Sequence, residues 1–190
     1  MANLTPIRIL LVEDEDGDLF FIREALDEAA ALGAWPGRAL AVSPAATLGD
    51  ACDLIFDGAF DAILLNLSLP DSPIPHETFQ KVSEFARSLP IVILADQEDE
   101  AFAALLLRQG AQSFLPKHAL DAIPLATSVN HAIERQRYVN TLRAPAEPPV
   151  SAVLPEALAD AADDGSLLSL IHVAGVAAHA PDAETVMLAD

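Results

Sequence analysis

Short apolar runs alternate with longer amphipathic stretches over the first three quarters of the chain. The runs are Arg8–Val12, Arg38–Val42, Ala62–Leu65, Ile91–Leu94 and Ser113–Leu115, with starts spaced 30, 24, 29 and 22 residues apart. Several are apolar at every position instead of every second one, the pattern of strands in a parallel sheet covered by helices on both faces. Between and after them, the 3.6-residue pattern predicts helices over about 17–32, 45–57, 77–88, 98–109 and 121–143. Gly33, Gly58 and Gly110 stand where C-terminal stops belong. The expected order is (βα)5.

In such a sheet, ligand chemistry gathers just beyond the C-terminal ends of the strands. Those positions hold Glu13-Asp14 after the first strand, Asn66 and Leu67-Ser68-Leu69-Pro70-Asp71 after the third, Ala95 after the fourth and Lys117 after the fifth. Two acids, an amide and a lysine are thereby brought to one pocket.

Composition then narrows the function. The chain has 190 residues, 29 acids against 10 bases and a formal net charge of −19. So acidic a protein is repelled by nucleic acid and by anionic lipid, so neither is expected as a main partner. Its single cysteine, Cys52, forbids an intrachain disulfide. With no export signal and no apolar stretch long enough to span a bilayer, a cytoplasmic protein is expected. All 10 bases lie before residue 144, whereas residues 144–190 carry 8 acids and no base. The break coincides with Pro145, Pro148, Pro149 and Pro155, so the chain is divided into a domain at 1–143, a proline-rich linker at 144–155 and an acidic, apolar tail at 156–190.

The stretches ILLVEDEDGD, DAILLNLSLPDS, LPIVILA and GAQSFLPK together resemble the receiver domain of two-component response regulators, over residues 7 to about 143. The resemblance implies a flavodoxin-like, doubly wound parallel sheet of strand order 2-1-3-4-5. It also implies a magnesium site at Glu13, Asp14 and the Ser68 carbonyl, and a phosphoryl group carried on an aspartate. That aspartate stands four residues before the loop proline, and four before Pro70 is Asn66. A carboxamide oxygen is uncharged and a poor nucleophile, so the acyl phosphate of the family does not form there in the usual way. The family's hydroxyl residue after strand four is replaced by Ala95, its switch aromatic is Phe114, and its lysine is kept as Lys117.

Glu13, Asp14, Asn66, Ala95 and Lys117 are therefore read as a degenerate phosphorylation pocket. Lys117 is expected to bridge to Glu13 or Asp14 in an ion-pair cluster, with a weak magnesium site at Glu13, Asp14 and Ser68 as the competing reading. Glu15, Asp16 and Asp18 are read as solvated acids at a helix start, where they complement the dipole. His76, His118, His131, His172 and His179 show no ligand spacing, and no phosphate-binding glycine loop or nucleophile elbow occurs. The last helix carries an apolar stripe, Ile123, Leu125, Val129, Ile133, Val139 and Leu142, that runs on toward the linker.

The chain is expected to be no enzyme but a phosphorylation-independent pseudo-receiver of two-component signalling. Its expected partner is a sensor kinase or another signalling protein, with homodimerisation through the helix-four, strand-five, helix-five face. The alternatives are a receiver that accepts phosphate on an atypical residue with magnesium, and a tethering subunit.

Overall fold

The computed structural model describes residues 5–96 and 99–143. The linker and tail assigned to 144–190 lie outside the described residues. Five strands form one parallel sheet: β1 (Ile7–Val12), β2 (Leu40–Ala45), β3 (Ala62–Asn66), β4 (Ile91–Ala95) and β5 (Ser113–Pro116), in the order β2-β1-β3-β4-β5. Between and after them run α1 (Asp16–Ala31), α2 (Leu48–Asp57), α3 (Pro75–Phe85), α4 (Glu100–Arg108) and α5 (Ala122–Arg143). A one-turn 3-10 helix, Lys117–Ala119, leads from β5 toward α5. This is the flavodoxin-like architecture, with the strand order expected.

The continuous apolar runs are explained by two cores, one on each face of the sheet. Ile9, Leu11, Leu64, Val92 and Leu94 pack with α1 and α5, through residues such as Leu26, Leu125 and Val129. Leu10, Val12, Ile63, Leu65 and Ile93 face the other way, onto Ala51, Phe79, Val82 and Leu106 of α2, α3 and α4. Successive side chains point to opposite faces, so a strand buried on both has no polar position to spare.

Differences from the sequence reading fall at element ends and have local causes. β2 starts two residues late and runs through Pro44 to Ala45. It is an edge strand, where a proline's missing N–H need not break a ladder. α2 starts at Leu48 instead of 45 because Thr47 caps it, its hydroxyl accepting from the Asp50 amide at 3.0 Å. Asp99 caps α4 in the same way through the Phe102 amide, at 2.9 Å. Gly33 and Gly110 do follow helix ends at positive φ, +84° and +114°, but Gly58 is extended. There a Cβ would meet the Leu54 carbonyl at 2.8 Å and the Phe60 ring at 2.9 Å, so close approach demands the glycine. α5 buries Leu125, Val129 and Ile133 of the expected stripe and leaves Ile123 and Leu142 exposed.

Two further contacts position the frame. Asp71, in the turn after β3, accepts from the Leu48 and Gly49 amides at 2.8 and 3.0 Å and so holds the N-terminus of α2. Trp35, buried between α1 and β2, donates its indole N–H to Asn130 of α5 at 2.6 Å.

Candidate functional site: a self-occupied pocket at the strand ends

The strand register sets the pocket. Val12 lies beside Leu65 and Asn66 beside Leu94, so Glu13 and Asn66 leave their strands side by side. Ala95 lies beside Pro116, and one residue further on Asp96 and Lys117 emerge as neighbours. Glu13, Asp14, Asn66, Ser68 and Lys117 converge as the sequence predicts.

Asn66 is the hub. Its side chain is buried, and its Nδ2 lies 3.1 Å from Glu13 Oε1, 3.1 Å from Asp14 Oδ1 and 3.0 Å from the Ser68 carbonyl oxygen. The amide orientation follows from this surround, because the opposite flip would face its oxygen toward three acceptors. Its Oδ1 instead accepts from the Ser68 amide at 3.3 Å. Glu13, 1% exposed, is held by the chain as well: Oε1 also accepts from the Asp14 and Glu15 amides at 3.1 Å each.

Lys117 forms the second centre. Its Nζ lies 2.8 Å from Glu13 Oε2, 2.8 Å from Asp18 Oδ2 and 3.1 Å from Asp96 Oδ1. The ion pair with Lys117 is the one partner of Glu13 Oε2 among the described residues, and it is off-axis for a hydrogen bond. Burial works against the Lys117 charge, yet its hydrogen bond to Asp18 and its close pairing with the Glu13 carboxylate raise its pKa above the ordinary lysine value.

Of the two partners expected for Lys117, Glu13 is the one it pairs with among the described ion pairs, while Asp14 Oδ1 takes the Asn66 amide. Asp18, expected as a solvated acid of the helix start, does stand in the first turn of α1, but it also reaches Lys117 from there. Asp96 was not singled out at all, although it lies directly after Ala95 and its place beside Lys117 follows from the pairing of β4 with β5.

The oxygens implied for magnesium, on Glu13, Asp14 and Ser68, do converge, but they do not fit that ion as arranged. Each faces the Asn66 amide nitrogen at 3.0–3.1 Å, so a hydrogen-bond donor takes the place a cation would need. Magnesium demands oxygen ligands at about 2.0–2.1 Å in near-octahedral array, and Asn66 offers it nitrogen-bound hydrogens.

Two cavities adjoin the hub. One of about 290 Å³ is lined by Asp14, Glu15, Asn66, Ser68, Asp96 and Lys117. The other, about 270 Å³, is more apolar and passes beside Ala95, Leu94, Phe102 and Phe114. Ala95 is thus buried at the wall of a space that its methyl group does not fill, and Phe114 is half-buried on the same wall.

No family model and no curated protein sequence matches the chain. Solved structures do. A CheY-like response regulator receiver domain protein from Methanospirillum hungatei is 20% identical with a TM-score of 0.57, the match covering 70% of this chain and 98% of that one. A response regulator receiver domain protein from Clostridium thermocellum gives the same values. The receiver domain of a sensor histidine kinase from Pseudomonas aeruginosa, with a magnesium ion in its active-site cleft, is 21% identical with a TM-score of 0.55, over 68% of this chain and 98% of that one. The described domain therefore has the fold of response regulator receiver domains. No helix among the described residues is long and apolar enough to cross a membrane.

Proposed function

We propose that residues 5–143 form a receiver-type module of two-component signalling that acts without taking up a phosphoryl group, by binding a signalling protein such as a sensor kinase. The observation that carries this reading is the Asn66 amide at 3.0–3.1 Å from the Glu13, Asp14 and Ser68 oxygens. A carboxamide in that place offers no carboxylate to attack a phosphorus centre, and it donates hydrogen bonds to the acid pair from within. Ala95 adds to it, having no hydroxyl with which to bind an arriving phosphoryl oxygen. The partner surface we assign is the α4–β5–α5 face, where Leu107 is exposed on α4 and Tyr138 and Leu142 on α5. A second copy of the chain is a candidate occupant of that face.

The test is incubation of the whole protein with a small phosphodonor and magnesium, followed by phosphate-affinity electrophoresis. The expected result is an unshifted band. A stoichiometric shift mapped to any residue of the pocket overturns the proposal in favour of an atypical acceptor.

A further inference from the structure

Lys117 gathers three carboxylates from three different segments: Glu13 from the end of β1, Asp18 from α1 and Asp96 from the end of β4. The first two bind the lysine to elements that the sheet and α1 already hold in place. Asp96 is different. It is the first residue past β4, its side chain is 58% exposed, and it lines the 290 Å³ cavity together with Lys117, which its carboxylate reaches at 3.1 Å and which is only 9% exposed. The strand pairing puts the two residues side by side, but the carboxylate turns inward although water lies open to it. No other charged partner of Asp96 is present among the described side-chain ion pairs.

We infer that the Asp96 carboxylate is a built-in anion for Lys117, a clasp that fixes the end of β4 against the β5–α5 connection without any modification of the protein. The inference rests on the proposed phosphorylation-independent reading and deepens it: the anion that would otherwise come to the pocket from outside is supplied by the chain. The end of β4, from Leu94 to Asp96, is then held in one position beside Lys117. Asp96 acts here as a positioning residue.

The experiment is hydrogen exchange on the full chain, following the amides of Leu94, Ala95 and Asp96 in the unaltered protein and in Asp96→Ala, Asp96→Asn and Asp18→Ala. Because Asp96 is exposed, its variants fold, and the exchange of the β1 and β3 amides checks this. Loss of the clasp speeds exchange at Leu94–Asp96 about 3- to 5-fold in Asp96→Ala, the range of an ion pair of roughly 1 kcal/mol or less. Asp96→Asn, which keeps a polar oxygen but no charge, falls between. Asp18→Ala leaves these amides unchanged while loosening the first turn of α1. Unchanged exchange at Leu94–Asp96 in Asp96→Ala, or an equal change in Asp18→Ala, overturns the clasp. Phosphodonor labelling of the unaltered protein would overturn the proposed function alone, so the two failures are distinguishable.

Discussion

Replacing the hub by the residue it most resembles in shape, Asn66→Asp, turns its geometry from attraction to repulsion. The amide Nδ2 now donates toward Glu13 Oε1, Asp14 Oδ1 and the Ser68 carbonyl at 3.0–3.1 Å. A carboxylate of the same shape donates to none of them. Each hydrogen bond to a charged acceptor is worth about 1.5–3 kcal/mol. Two like charges about 4 Å apart repel by about 4 kcal/mol at an effective dielectric of 20. Lys117 offsets part of this at Glu13, and the exposure of Asp14 screens its share. The net cost at neutral pH is about 2–4 kcal/mol.

The sign with pH follows. The introduced carboxyl has a raised native pKa, so the folded state holds a proton that the unfolded state has released, and the variant loses stability as pH rises above the ordinary aspartate value. Its deficit is therefore largest near neutrality and shrinks on acidification. Millimolar magnesium also shrinks it, because three acids and a carbonyl then face one another, whereas the unaltered protein gains nothing. Urea unfolding at neutral and mildly acidic pH, with and without magnesium, measures all of this. A variant as stable as the parent at neutral pH, or one whose deficit ignores pH, would refute the reasoning.

Three smaller predictions concern the frame. Lys117→Met strands the buried Glu13 carboxylate and costs about 3–5 kcal/mol by urea unfolding. In the unaltered protein the stability supplied by the Lys117 charge is full below the ordinary lysine pKa of 10.5 and fades as pH rises through the higher native value. Asp71→Ala removes the acceptor of two α2 amides and costs about 0.5–2 kcal/mol in the same assay. Slight burial pushes the Asp71 pKa up, but the Leu48 and Gly49 amides outweigh it and lower it below 3.8; its contribution is present above that value and lost as pH falls through the native one. Asn130→Ala takes the partner from the indole of Trp35, the chain's one tryptophan, costs about 1–2 kcal/mol and shifts the emission of the folded protein.

The layered order of the domain was legible because both faces of the sheet are buried, which writes the strands as unbroken apolar runs such as Ile91–Leu94. Edge strand β2 was read less well, since Pro44 interrupts a pattern that the sheet edge tolerates. At the site, Glu13, Asp14, Asn66 and Lys117 could be placed from strand ends alone. Asp18 and Asp96 could not, because what brings them to Lys117 is the turn of α1 and the register of β4 on β5. Glu13 and Asp14 both meet the Asn66 amide, and Glu13 reaches Lys117 as well. Sequence position alone does not separate those two neighbouring acids.

The central claim is that a receiver-type scaffold persists here with its phosphoryl chemistry removed at Asn66 and Ala95. Its most direct test sets the unaltered protein beside the double variant Asn66→Asp with Ala95→Thr, both exposed to a small phosphodonor and magnesium and read by intact mass. The account predicts no added phosphoryl group on the unaltered protein and one on the double variant. A folded double variant that stays unlabelled while an ordinary receiver is labelled, or a labelled unaltered protein, would contradict it.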